Sequence, residues 1–180
     1  MPVPAYMLSL LGRQRQLLGA RFFERYPSNW LVWEPGRWRP ARSESTSNTE
    51  ATQLPTPLPM SRPVGDDALC FELKRLEKSD LTVGRGTDNH IVVNDLTVSR
   101  AQLHLTFNGG LWRVSSSNAM TVDGQPVGSQ GLTLKNAAAL ELGDVRMTFY
   151  EPQGFLQRLQ AGDKPAPGAA VIASVSPLPR

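Results

Sequence analysis

The sequence predicts an all-β fold for residues 66–151, a two-sheet antiparallel β-sandwich with an N-terminal helical segment before it and a disordered linker and tail on its flanks. Two observations carry this expectation. Apolar and polar residues alternate with period two at Leu69, Phe71 and Leu73, at Leu103, Leu105 and Phe107, and at Val145, Met147 and Phe149, which is the pattern of half-buried strands. Between them, short apolar runs at residues 81–83, 91–93, 111–114, 132–134 and 139–142 are broken by Asn108-Gly109-Gly110, Asp123-Gly124 and Gly143-Asp144, with no helical periodicity in the gaps. Asp123-Gly124 is a strong tight-hairpin signal, because both residue types tolerate the positive φ such turns demand.

The flanks read differently. From Tyr6 to Tyr26, Met7, Leu8, Leu10, Leu11, Leu17, Leu18, Phe22 and Phe23 recur at helical spacing with arginines between them, and Pro27 ends the helix. Trp30, Trp33 and Trp38 follow within nine residues, too short a stretch to bury three indoles by itself. They either pack on the helix or the main domain, form a docking site for another protein, or lie on a membrane surface. Residues 1–39 form this N-terminal unit. Residues 40–65, rich in Pro, Ser and Thr, form a linker that buries too little apolar surface to order itself. A short helix in residues 152–162 starts at Pro152 and presents Phe155, Leu156 and Leu159 on one face, and residues 163–180 form the disordered tail.

The formal charge of +3 conceals a division. Residues 1–42 hold seven arginines against Glu24 and Glu34, a net +5, which leaves the other 138 residues at −2. The basic pI therefore gives no case for nucleic-acid binding by the main domain. Cys70 is the only cysteine, which excludes a disulfide framework and a multi-cysteine zinc site. With two histidines the chain has little for metal or acid–base chemistry, and no metal or cofactor is expected. No apolar run approaches the roughly 20 residues of a bilayer crossing, and the arginines interrupt any secretory signal, so a cytoplasmic protein without a membrane span is expected. No GxSxG, HExxH or Walker A pattern occurs, which argues against an enzyme.

Polar residues concentrate between strands at 84–90, 94–100 and 115–118. A sandwich collects its loops at its two ends, so Arg85, Ser99, Arg100, Ser117 and Asn118 can converge on one edge. Guanidinium forks pair bidentately with phosphate oxygens and hydroxyls fill the remaining acceptors, so the set suits a tetrahedral dianion. In order along the chain, Gly84-Arg85, Ile91-x-x-Asn94-Asp95-x-x-Val98-Ser99-Arg100, Trp112, Ser116-Ser117-Asn118, Val122-Asp123-Gly124 and Leu142-Gly143-Asp144 resemble a forkhead-associated (FHA) domain over residues 68–150. The resemblance implies a sandwich of about eleven strands that binds phosphothreonine peptides through its loops. It implies that Arg85 grips the phosphate and supports the peptide backbone, that Ser99 hydrogen-bonds the phosphate, and that Arg100 and Ser117 add to the pocket. Asn118 would contact the peptide main chain.

Three departures accompany the resemblance. Gln102 stands where the family usually has a histidine that braces the binding loops, Ala119 stands where a glycine is usual, and the segment from Trp112 to Asn118 is about three residues shorter. The implied role is a non-enzymatic adaptor for Thr-phosphorylated proteins, with a Ser/Thr kinase as a further partner. Intramolecular capture of phosphorylated Thr46, Thr49, Thr52 or Thr56 from the linker also fits. The alternatives are a phospho-independent scaffold or subunit of a larger assembly, with a decayed pocket, and an accessory protein whose N-terminal segment acts on an enzyme.

Overall fold

The computed structural model describes residues 2–37, 39–40, 63, 65–74 and 79–161. In chain order these form β1 (Ala5–Met7), α1 (Leu8–Leu18), α2 (Arg21–Arg25), β2 (Asn29–Trp33), β3 (Leu69–Leu73), β4 (Ser79–Gly84) and β5 (Ile91–Val92). They continue with β6 (Leu103–Asn108), β7 (Leu111–Ser115), β8 (Thr121–Val122), β9 (Gln125–Pro126), β10 (Leu132–Thr133), β11 (Ala138–Leu142), β12 (Val145–Tyr150) and α3 (Pro152–Gln160). The strands build a two-sheet β-sandwich. One sheet has seven strands in the order β1-β3-β2-β12-β11-β8-β9, and the other has five in the order β10-β7-β6-β4-β5. All pairings are antiparallel except β4 with β5, which run parallel with Val83 opposite Ile91, so the purely antiparallel expectation is corrected at that one ladder.

The alternation seen in the sequence fills the space between the sheets. Leu31, Leu69, Phe71, Leu73, Leu103, Leu105, Val114, Leu140, Met147 and Phe149 belong to one buried cluster there. The tight hairpin forms as two-residue loops do: Asp123 and Gly124 take φ of 51° and 78° between the paired Val122 and Gln125.

The division of the chain at residues 39 and 66 is corrected. β2 lies between β3 and β12 in the larger sheet, with Leu31 opposite Phe71 on one side and Phe149 on the other. The N-terminal segment is therefore structural within the sandwich, and the chain from β2 to β3 joins two neighbouring strands of one sheet rather than two domains. Residues 41–62 and 64 of that connection, Thr46, Thr49, Thr52 and Thr56 among them, lie outside the described residues, as do residues 162–180. The continuous helix from Tyr6 to Tyr26 is corrected too. Tyr6 and Met7 pair in β1 with Cys70 and Leu69, and α1 stops at Gly19, whose φ of 55° is left-handed and easy only for glycine.

The outer face of the larger sheet is covered by helices. Trp30, Val32, Cys70 and Tyr150 point away from the inter-sheet core and bury against Leu8, Leu11, Phe22, Phe155 and Leu159 in a second cluster. Trp30 stacks on Phe155 with ring centroids 4.4 Å apart and planes 13° from parallel. Strands β2 and β3 are thus buried on both faces, which is why Cys70 and Glu72, the polar phase of the alternation, are enclosed rather than solvated. The buried Glu72 carboxylate accepts a hydrogen bond of 2.9 Å from Ser28 Oγ. Glu34 accepts 2.9 Å from Thr148 Oγ1 and pairs at 3.3 Å with Arg158, whose side chain is 7% exposed, so one ion pair ties the exit of β2 to α3. Among the described residues no helix is long and apolar enough to cross a membrane.

Two outcomes follow from this packing. Glu34→Ala leaves the Arg158 guanidinium buried without its carboxylate, and urea unfolding should show a loss of about 3 kcal/mol. Burial also pushes the Cys70 thiol well above its ordinary range. The native protein should therefore resist alkylation by iodoacetamide even at about pH 8.5, and react once unfolded in denaturant, as read by intact mass.

Candidate binding site

Three connections meet at one end of the smaller sheet: 85–90 after β4, 93–102 after β5, and 116–120 after β7. β4 carries Arg85 out of the sheet beside Ser99, and main-chain bonds hold the two together. Arg85 N donates to Ser99 O and Gly86 N to Arg100 O, each at 2.9 Å. The Arg85 side chain, half-buried, donates from Nε to Val98 O at 2.9 Å, which turns the guanidinium fork toward the Ser99 loop. Asn89, buried, donates through Nδ2 to Gly86 O at 2.8 Å and Arg100 O at 2.6 Å, so the first loop is closed onto the second.

This close approach sets a steric limit. A Cβ on Gly84 would overlap the Arg100 carbonyl oxygen and lie 2.9 Å from Gln102 N. Only glycine lets β4 run this near the Ser99-Arg100 segment.

Gln102 joins the remaining loop. It is 3% exposed, its Oε1 accepts from Ser99 N at 2.9 Å, and its Nε2 donates to Ala119 O at 3.2 Å. Its carbonyl oxygen accepts from Ser116 Oγ at 2.5 Å, and its N–H donates to Val83 O at 2.8 Å. The side-chain amide of the residue standing in the brace position thus joins the second connection to the third, while its main chain bonds to β4 and to Ser116. An amide supplies an acceptor oxygen and a donor nitrogen in fixed places and does not titrate in the neutral range.

The five residues singled out in the sequence fall in these loops. Arg85 and Ser99 are adjacent and half-buried, Arg100 and Ser117 are exposed, and Asn118 is half-buried. Asn118 Nδ2 donates to Ala101 O at 2.7 Å, so it reaches across to the Ser99-Arg100 loop rather than capping its own turn. Its own N–H is held at 3.0 Å by Ser116 Oγ. Sequence reasoning placed Gln102 at the brace position but gave no role to the framework residues Asn89, Asp95 and Ser116. A buried polar side chain has no periodic signature, and Asn89, Asp95 and Ser116 each bond to a segment that is distant in sequence as well as to their own loop. His104 is exposed, with Nδ1 3.6 Å from Asp80 Oδ1, and lies in β6 opposite Thr82 and Ser115, outside the three connections themselves. Among the described residues no three or more His, Cys, Asp or Glu side chains group as a metal site would require.

The two-sheet sandwich, with an arginine after β4 and a Ser-Arg pair before β6 at one end, has the fold and the loop arrangement that the resemblance to an FHA domain implies. Residues 72–153 match a family model described as the cytoplasmic domain of an inner membrane component of the type III secretion system. Among solved structures, the FHA domain of a Chlamydia trachomatis protein is similar at 16% identity over 68% of this chain and 97% of that one, with a TM-score of 0.44. The cytoplasmic domain of PscD, a type III secretion sorting platform protein of Pseudomonas aeruginosa, is similar at 23% identity over 44% of this chain and 69% of that one, with a TM-score of 0.38. Mycobacterium tuberculosis EmbR in complex with a low-affinity phosphopeptide is similar at 27% identity over 40% of this chain and 20% of that one, with a TM-score of 0.37. No curated protein matches the sequence.

The steric limit at Gly84 is directly testable. Gly84→Ala should push the Arg100 segment away from β4 and destabilise the domain by roughly 1–3 kcal/mol, the range for overpacking. Thermal unfolding reads the loss, and chemical-shift changes in a nitrogen–proton spectrum should centre on residues 84–86 and 99–102.

Proposed function

We propose that the domain binds phosphothreonine peptides through Arg85, Ser99, Arg100, Ser117 and Asn118, and that the chain is a non-enzymatic adaptor for Thr-phosphorylated proteins in the cytoplasm. The observation that carries this reading is the pairing of Arg85 with the Ser99 segment by main-chain and Nε bonds of 2.9 Å. A guanidinium fork and a hydroxyl held side by side supply donors for two or three oxygens of a phosphate dianion. Arg100 adds a second cation from the exposed side, and Ser117 a second hydroxyl. Asn118 spends one amide proton on Ala101 O and keeps its carbonyl and second proton for a peptide main chain. A Ser/Thr kinase supplies the mark that the site reads. Phosphorylated Thr46, Thr49, Thr52 or Thr56 would be an intramolecular ligand of the same class.

A second reading is a phospho-independent scaffold within a larger assembly. It is favoured by the match of residues 72–153 to the secretion-system cytoplasmic domain, together with Ala119 in place of the usual glycine. The two readings separate on the phosphate. Calorimetry with a phosphothreonine peptide library should give micromolar affinities, about 7–9 kcal/mol of binding free energy. Arg85→Ala should weaken the best peptide roughly tenfold to a hundredfold, the value of one or two charge-assisted bonds. Phosphothreonine should exceed phosphoserine by about fourfold if the threonine methyl is buried. Equal affinity of wild type and Arg85→Ala, or equal affinity for phosphorylated and unphosphorylated peptides, decides for the scaffold.

A further inference from the structure

Residues 93–99 approach the phosphate-site loops from a second direction, through contacts that neither sheet supplies. Asp95 is fully buried, and its carboxylate is shared between two parts of the chain. Oδ1 accepts from Thr97 N at 2.8 Å and from Thr97 Oγ1 at 2.6 Å, while Oδ2 accepts from the main-chain N–H of Arg39 at 2.7 Å. The Arg39 carbonyl in turn accepts from Leu96 N at 2.8 Å. Thr97 Oγ1 also accepts from Asp144 N at 2.9 Å, and the Arg39 guanidinium pairs with the Asp144 carboxylate. From there the chain of bonds continues into the site. Val98 N donates to Asp95 O at 3.2 Å, and Val98 O receives Arg85 Nε.

We propose that the main chain of Arg39, clamped to Asp95, is a positioning element of the phosphopeptide site: it sets the 95–98 segment, and through it the register of Ser99 and Arg100 against Arg85. The inference rests on the phosphothreonine reading above. The stem that leaves β2 is thereby part of the recognition unit, although it lies 46 residues before Arg85 and outside the segment matched by the family model. Two features distinguish a clamp from generic packing. The bonds made by residue 39 are main-chain bonds on both its N–H and its carbonyl, so they fix direction as well as distance. The Asp95 carboxylate that its N–H meets is buried, where a lost partner is costly and has no water to replace it. The exposed Arg39–Asp144 ion pair contributes little by comparison, because solvent screens it.

The test separates main chain from side chain in the full chain. Arg39→Pro removes the N–H that Asp95 accepts, Asp95→Asn sets an amide donor against one of the two N–H groups, and Arg39→Ala keeps both main-chain bonds. Arg39→Pro and Asp95→Asn should each weaken a phosphothreonine peptide by about tenfold, measured well below the melting temperature, where a purely structural change would leave affinity intact. The double variant should be no weaker than the worse single, since both break one contact. Arg39→Ala should bind within about twofold of wild type. Amide hydrogen exchange at Thr97 and Ser99 should accelerate in the two clamp variants, while exchange at Leu105 and Val114 in the smaller sheet stays unchanged. Wild-type affinity in Arg39→Pro overturns the assignment, as does an equal loss in Arg39→Ala. If the wild-type chain binds no phosphothreonine peptide, the functional reading fails by itself, and exchange at Thr97 and Ser99 then decides the clamp: unchanged rates in Arg39→Pro overturn it.

Discussion

The rest of the structure depends on strand β2 being paired along both edges and buried on both faces. β3 and β12 take its hydrogen bonds, Leu31 and Trp33 face the inter-sheet core, and Trp30 and Val32 face the helices. Each strand next to it inherits a two-sided environment. The outer face of β2, β3 and β12 carries large apolar groups that water would otherwise meet, so α1, α2 and α3 are required as a third layer. The two carboxylates caught in that layer are each paired: Glu72 with Ser28, and Glu34 with Thr148 and Arg158.

The loop end shows the same economy in a different form. Its three connections are joined by side-chain amides and a buried carboxylate: Asn89, Gln102, Asn118 and Asp95 bridge main-chain groups that have no ladder partner. Each bridge orders a loop before a ligand arrives, and a site ordered in advance loses less conformational entropy on binding. An amide at position 102 does this with fixed donor and acceptor sites, where an imidazole would bring a protonation state into the framework.

Much of the central sandwich was legible because its strands obey the simplest rule, one face in and one face out. Leu103, Leu105 and the alternation of β12 needed no more than period two. β2 hid from the same rule. A strand buried on both faces reads as an unbroken apolar run, Trp30-Leu31-Val32-Trp33, and such a run has no period to detect. Its partners are also distant, with residues 34–68 intervening before β3, so the stretch resembled the end of a helical unit followed by a linker. Arg85, Ser99, Arg100, Ser117 and Asn118 were found because charged and hydroxyl residues in loops are conspicuous. Gln102 was placed at the brace position by the resemblance, but Asp95 was assigned no framework role, since its function is defined only by which main-chain groups face it. Gly19 shows a smaller failure of the same kind: helical spacing continued past it, but its backbone conformation ended the helix.

The topology also imposes an order of events on a chain made from its N-terminus. β2 is synthesised long before its partner β12, as the 114-residue separation of Glu34 and Thr148 records. Until β12 and α3 have been made, one edge of β2 is unpaired and Trp30 lacks the Phe155 ring on which it stacks. The nascent chain therefore presents an unpaired strand edge throughout the synthesis of the residues between β2 and β12, the condition in which unpaired strand edges misassociate. α1 and α2, which are local in sequence and form quickly, are the elements able to shelter Trp30 during that interval. The helical layer that covers the finished sheet is in this sense also a cover for the unfinished one.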